Sequence, residues 1–119
     1  EVQRVDIIPL HSYILGESLI FYADQNIIEV NDVKYNIQGQ SRLLLELFFQ
    51  EKDNGYTLKE DFIIEKLWPD NSGNDERMHK AIGRLRSFLR KIDPSLSIIN
   101  KNGTYRLIIS EKSLVKRNS

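Results

Sequence analysis

The sequence predicts an α+β fold: an N-terminal antiparallel β-sheet, a three-helix core and a closing β-hairpin. Three observations point to it. Residues 13–37 alternate or cluster in β-friendly types, residues 40–92 switch to helical spacing, and residues 97–109 return to two apolar runs around Lys101-Asn102-Gly103. At 119 residues, 40% hydrophobic and 29% charged, the chain suits one domain that buries a core without metals or disulfides.

The strands come first. Tyr13-Ile14-Leu15, Leu19-Ile20-Phe21-Tyr22, Ile27-Ile28-Glu29-Val30 and Val33-Lys34-Tyr35-Asn36-Ile37 are rich in β-branched and aromatic residues. Asp24-Gln25-Asn26 and Asn31-Asp32 are turn formers between them, so an antiparallel meander follows. From Gln40, the residues Leu43, Leu44, Leu45, Leu47, Phe48 and Phe49 are too many for one narrow stripe and imply a deeply buried helix ending near Asp53-Asn54-Gly55. Thr57-Leu58-Lys59-Glu60 fits a capping box, in which the threonine hydroxyl accepts from an amide three residues on and Glu60 reaches back. A second helix is expected to start there, with Phe62, Ile63, Ile64, Leu67 and Trp68 inward, and to stop at Pro69.

A polar loop, 69–74, opened by Pro69 and closed by Asn74, is expected to be exposed and mobile. The third helix, Asp75 to Ile92, puts Met78, Ala81, Ile82, Leu85, Phe88, Leu89 and Ile92 on one arc, and Asp93-Pro94 ends it. Ser97-Ile98-Ile99-Asn100 and Thr104–Ile109 then flank the hairpin turn. The domain is expected over residues 13–110, with an N-terminal extension at 1–12 and a tail at 111–119.

Composition excludes several functions. With no cysteine, neither a thiolate metal cluster nor redox chemistry at sulfur is available. No apolar run approaches the roughly 18 residues of a membrane span, and the start lacks the order of a signal peptide. Opening on Glu1 rather than Met, the chain reads as a piece of a longer protein. His11 and His79 are the only histidines, and no nucleophile, metal or glycine-rich signature accompanies them, so neither an enzyme nor a cofactor or small-molecule substrate is expected.

The zero net charge hides a segregation. Residues 1–75 hold 6 basic and 14 acidic side chains, whereas residues 76–106 hold 8 basic and 2 acidic. A polyanion-binding face on an acidic body has this distribution; so does a basic helix paired with an acidic neighbour. At ~100° per residue, the outward side of the third helix carries Glu76, Gly83, Ser87 and Arg90. Arg77, Lys80, Arg84 and Lys91 stack on one flank, and His79 and Arg86 lie on the other. Small side chains between long cations let a helix enter a major groove, where arginine pairs with guanine and cations meet phosphates. An ordinary solvated face has the same charge. Lys101 and Arg106 add cations on the hairpin, and Tyr105 either packs inward or lies on a sugar-phosphate backbone.

The chain resembles the C-terminal winged helix-turn-helix effector domain of the OmpR/PhoB response regulators, also found in the ToxR/CadC membrane-anchored regulators. The resemblance covers residues 16–109. It rests on Asn36-Ile37 leading into Leu43-Leu44-Leu45-Glu46-Leu47, on Leu67-Trp68, on Ile82-Gly83-Arg84-Leu85-Arg86 with Leu89, and on Asn102-Gly103-Thr104-Tyr105-Arg106-Leu107. It implies a four-stranded N-terminal sheet, a third helix in the major groove and the hairpin as a wing at the minor groove. Carried over by position, base contacts fall to Arg77, His79, Lys80 and Arg84, with Lys101 as the wing cation; Arg86, Ser87, Lys91 and Arg106 complete the candidate DNA-binding set. The resemblance further implies a bacterial two-component transcription regulator acting in the cytoplasm, or the cytoplasmic part of a membrane-anchored one. Its partners are double-stranded DNA, RNA polymerase through loop 69–74, and a tandem copy on direct repeats. The sequence departs from the family where Glu76 replaces a common arginine, Ala81 a backbone-contacting histidine and Gly83 a basic or polar residue. Gln38 and Ser41, in place of the usual threonine and glutamate, imply a different cap on the first helix. A winged-helix protein-interaction module without DNA binding is the rival reading.

Overall fold

The computed structural model describes residues 12–15 and 19–109. The expected extension and tail lie outside those residues, apart from Ser12. Strands β1 (Ser12–Leu15), β2 (Leu19–Tyr22), β3 (Ile27–Val30) and β4 (Val33–Asn36) form an antiparallel meander in that order. The turns between β2 and β3 and between β3 and β4 use residues that tolerate the left-handed region: Asn26 at φ 58°, Asn31 at 51° and Asp32 at 70°. Leu19 and Phe21 face inward with Ile28 and Val30, while Ile20, Tyr22, Ile27 and Glu29 face out.

Helix α1 (Gly39–Gln50) buries six consecutive residues from Leu44 to Phe49, including Glu46. The altered N-terminus has no side-chain cap: Gln38 is extended, and its carbonyl accepts from the Arg42 amide at 3.4 Å. An aromatic cluster seats the sheet on α1, with Tyr13, Phe21 and Phe49 within 5.6–5.9 Å of one another and Tyr56 edge-on to Phe49 at 5.8 Å. Glu46 accepts from the Tyr13 hydroxyl at 3.3 Å and pairs with Arg42 at 3.2 Å.

The expected capping box is not formed. Thr57–Lys59 is instead a short strand, β5, and helix α2 (Glu60–Leu67) starts after it without a side-chain cap. The Thr57 hydroxyl donates to the Gly55 carbonyl at 3.3 Å, and the Glu60 amide donates to the Gly103 carbonyl at 3.1 Å. The Glu60 amide that the threonine would have capped is thus met by the hairpin. Helix α3 (Asp75–Ile92) matches the expected bounds, followed by β6 (Leu96–Lys101) and β7 (Thr104–Ile109). The second sheet has the order β5-β7-β6, so the expected two-stranded hairpin, β6 and β7, is joined by a third strand from before α2.

One core joins all of this. Phe21 and Ile28 of the first sheet, Leu44 and Phe48 of α1, Ile63 of α2, Met78, Ile82, Leu85 and Leu89 of α3, and Ile98, Tyr105 and Leu107 of the second sheet are buried together. Tyr105, 3% exposed, takes the inward of its two expected placements. Leu47, Leu67 and Trp68 are also buried as the sequence predicts. Loop 69–74 is exposed except at Gly73, where a Cβ would stand 2.6 Å from the Trp68 ring. Ser72 donates to Asp70 from its hydroxyl at 2.7 Å and its amide at 3.1 Å, and these bonds hold the Asp70 carboxyl below its ordinary pKa. Among the described residues, no helix is long and apolar enough to cross a membrane.

Candidate nucleic-acid interface

Helix α3 is started by Asn74, whose side chain accepts from the Arg77 amide at 2.8 Å. Asp75 and Glu76 occupy its first turn and Arg90 and Lys91 its last, each complementing the helix dipole. Burial of Met78, Ala81, Ile82, Leu85 and Leu89 fixes its rotation. That rotation leaves Arg77, His79, Lys80, Arg84, Ser87, Arg90 and Lys91 exposed. Lys80, Gly83, Arg84, Ser87, Phe88 and Lys91 line an open groove of about 610 Å³ along one flank.

Glu76 lies 3.7 Å from Lys80 with both side chains mostly exposed, 80% and 65%. Such a pair contributes little and is easily exchanged for a stronger anion. Among the described residues, Arg77, Arg84, Arg90 and Lys91 form no ion pair. Arg77 still feels the Asp70 carboxylate, whose pKa the bonds from Ser72 lower first and the Arg77 charge lowers further, but no direct ion pair among the described residues neutralises these four cations.

Two of the expected contacts have other work. Arg86 is only half-exposed, and its Nε donates to the Ile98 carbonyl of β6 at 3.1 Å, tying α3 to the hairpin. Arg106 donates through Nε to the Gly55 carbonyl at 3.2 Å. Each keeps its terminal nitrogens as further donors. Lys101 is exposed at the end of β6 rather than in the turn, which consists of Asn102 and Gly103 at φ 51° and 80°. This geometry is the primed turn that matches strand twist.

Cross-strand register reveals a cation that sequence reasoning missed. Thr104 faces Lys101 on one side and Lys59 on the other, so Lys59, Thr104 and Lys101 form a row across the outer face of the three-stranded sheet. Arg106 follows in the next row, between Thr57 and Ile99. Glu60 and Asp61 share the cavity at the turn with Lys59, so that end of the row is less positive than the Lys101 end. The alternation Thr57-Leu58-Lys59, with only Leu58 buried, was the available signal.

A three-helix core with an exposed basic third helix and a hairpin, extended by β5 into a three-stranded sheet, beside it defines a winged-helix fold. A solved structure with this fold is the DNA-binding domain of E. coli CadC, which superposes with a TM-score of 0.66 at 21% identity over 86% of this chain and 95% of that one. No protein-family model and no curated protein matches the sequence.

Proposed function

We propose that the domain, residues 13–110, binds double-stranded DNA as the effector part of a bacterial transcription regulator of response-regulator type, with α3 in the major groove and the wing at the minor groove. The observation that carries this reading is the exposed row of Arg77, Arg84 and Lys91, with no ion pair among the described residues, on a helix whose other side is the core. Arg84, central on the helix, reaches base edges; Arg77, Lys80, Lys91, His79 and Ser87 supply flanking base or phosphate contacts. Lys101 meets the minor-groove potential. Arg86 and Arg106 position the wing and turn their remaining nitrogens to phosphate.

The finer parts rest on the winged-helix resemblance. Loop 69–74 is the surface for RNA polymerase; beside it Ile64, Trp68, Pro69 and Gly73 line a cavity of about 460 Å³ together with Asp61 and Glu65. Two copies bind in tandem on direct repeats, and the domain works in the cytoplasm, alone or tethered to a membrane. The test is titration of the domain with random and genomic duplexes at two salt concentrations. Affinity that falls with salt is the expected result, since binding releases counterions. Absence of duplex binding at low salt would instead favour a protein-interaction module.

A further inference from the structure

Gly83 lies mid-way along an 18-residue helix, where glycine is the poorest choice short of proline. The fold explains the other described glycines. Gly39, Gly55 and Gly103 have φ of 61°, 68° and 80°, which side chains rarely adopt, and a Cβ on Gly73 would collide with Trp68 and Ile64. Among the described glycines, Gly83 alone has neither reason: its backbone is helical, and a Cβ there meets no atom within 4 Å. The space is left open to something outside the chain.

The groove beside it indicates what that is. Its rim is cationic, with Lys80, Arg84 and Lys91, and Ser87 is its neutral polar group. Half-buried Phe88 and the aliphatic stems of the lysines make the rest apolar. Glu76 stands beside the rim, 3.7 Å from Lys80. A ligand that fits is anionic outside and presents a small apolar group inward. In a DNA major groove the apolar group offered by the base edges is the C5-methyl of thymine.

We propose that Gly83 leaves a seat at the edge of this groove for one thymine methyl, making this chain select thymine at one position of its site. The proposal rests on the DNA-binding reading and adds a specificity element to it. The experiment starts from a duplex selected out of a random pool and replaces each thymine in turn by uracil, which removes the methyl alone. One position should lose about fourfold in affinity, the equivalent of one buried methyl group. Gly83→Ala fills the seat, so the thymine-to-uracil ratio at that position should fall to near one while other positions keep theirs. The same variant should melt roughly 2–8 °C higher, because the helix gains a better former without a clash. A parent that binds duplex with no uracil-sensitive position overturns the seat and leaves DNA binding standing. Failure to bind any duplex at low salt overturns both. An unchanged ratio in Gly83→Ala, or a lower melting temperature, overturns the seat, the latter by showing that the glycine serves the fold.

Discussion

Arg84 and Lys101 bear the same charge on different supports, and the difference decides what each does. Arg84 projects from the middle of a helix whose rotation is fixed by a buried face, whereas Lys101 ends a strand beside a two-residue turn. Arg84→Ala should therefore cost roughly 1–3 kcal/mol on the true site and relax preference at one base pair. Lys101→Ala should weaken binding to all sequences alike and lower the salt slope by about one unit. Both are exposed, so stability should stay within about 0.5 kcal/mol. Titrating each variant against cognate and scrambled duplexes separates the two, and parental binding by both would sink the interface. Lys59→Ala should behave like Lys101→Ala; an unchanged salt slope removes Lys59 from the wing row. Charge and helical spacing made Arg84 legible in the sequence. Lys59 was hidden because its face is set by pairing with Thr104, far along the chain, while the local pattern Thr57-x-x-Glu60 reads equally well as a cap. For the same reason nothing local foretold that Arg86 and Arg106 would each find a distant backbone carbonyl.

Helix α3 and the hairpin share the core, and the Arg86 Nε bond to the Ile98 carbonyl adds a polar link between them. A hydrogen bond from a charged donor contributes on the order of 1.5–3 kcal/mol, so Arg86→Ala should destabilise the fold where Arg84→Ala does not. Arg86→Lys should not rescue it, because an ammonium lacks the Nε geometry. Equal denaturant midpoints for the two alanine variants would show that the link is idle. Leu85, fully buried on the same helix, sets the scale: Leu85→Ala should cost about 2–5 kcal/mol, and a loss below about half a kcal/mol would mean that α3 is rotated otherwise. The first sheet has a different sensitivity. Burial, reinforced by the charge and hydrogen bond of Glu46 and opposed by a hydrogen bond from Gln50, raises the Tyr13 hydroxyl above its ordinary 10.0; burial alone raises Tyr56. A raised pKa means the folded chain holds the proton longer than the unfolded chain. Their contribution is complete below pH 10 and is lost as pH climbs through the folded values. Unfolding by urea across that range should show stability falling, and less steeply in Tyr13→Phe; identical profiles would refute the assignment. These elements were legible because neighbouring strands pair and α3 has a clean apolar arc. Strand β5 was not, since three residues are too few for period to outweigh a cap motif.

At the scale of the molecule, two properties follow from one core and one division of charge. Because buried side chains run continuously from Phe21 through Leu44 and Leu85 to Tyr105, neither sheet has a core of its own, and both should melt in a single transition. The charge division was visible in the sequence, but only the fold turns it into a surface: α3 places its cations outward, the second sheet brings Lys101 and Lys59 onto one face, and the acidic side chains described between residues 19 and 74 lie on the other elements and loops. If the domain binds DNA as proposed, an acidic body beside a basic helix and wing orients encounter as well as strengthening it. This gives a prediction about the parent domain that no single substitution supplies. Arg77, Lys80, Arg84, Lys91 and Lys101 are exposed cations available to phosphates or bases; if most of them displace counterions, log K should fall against log salt with a slope of about −4. Between about 50 and 200 mM salt that slope is a loss of roughly 10²–10³-fold. Random duplex should follow nearly the same slope as the selected site, because phosphate contacts are common to both, while the gap between the two curves measures what Arg84 and its neighbours read from the bases. A slope shallower than about −1 with affinity retained would mean that the cations of α3 stay in water and that the contact is made by apolar surface, which is the behaviour of a protein-interaction module rather than of a helix in a groove.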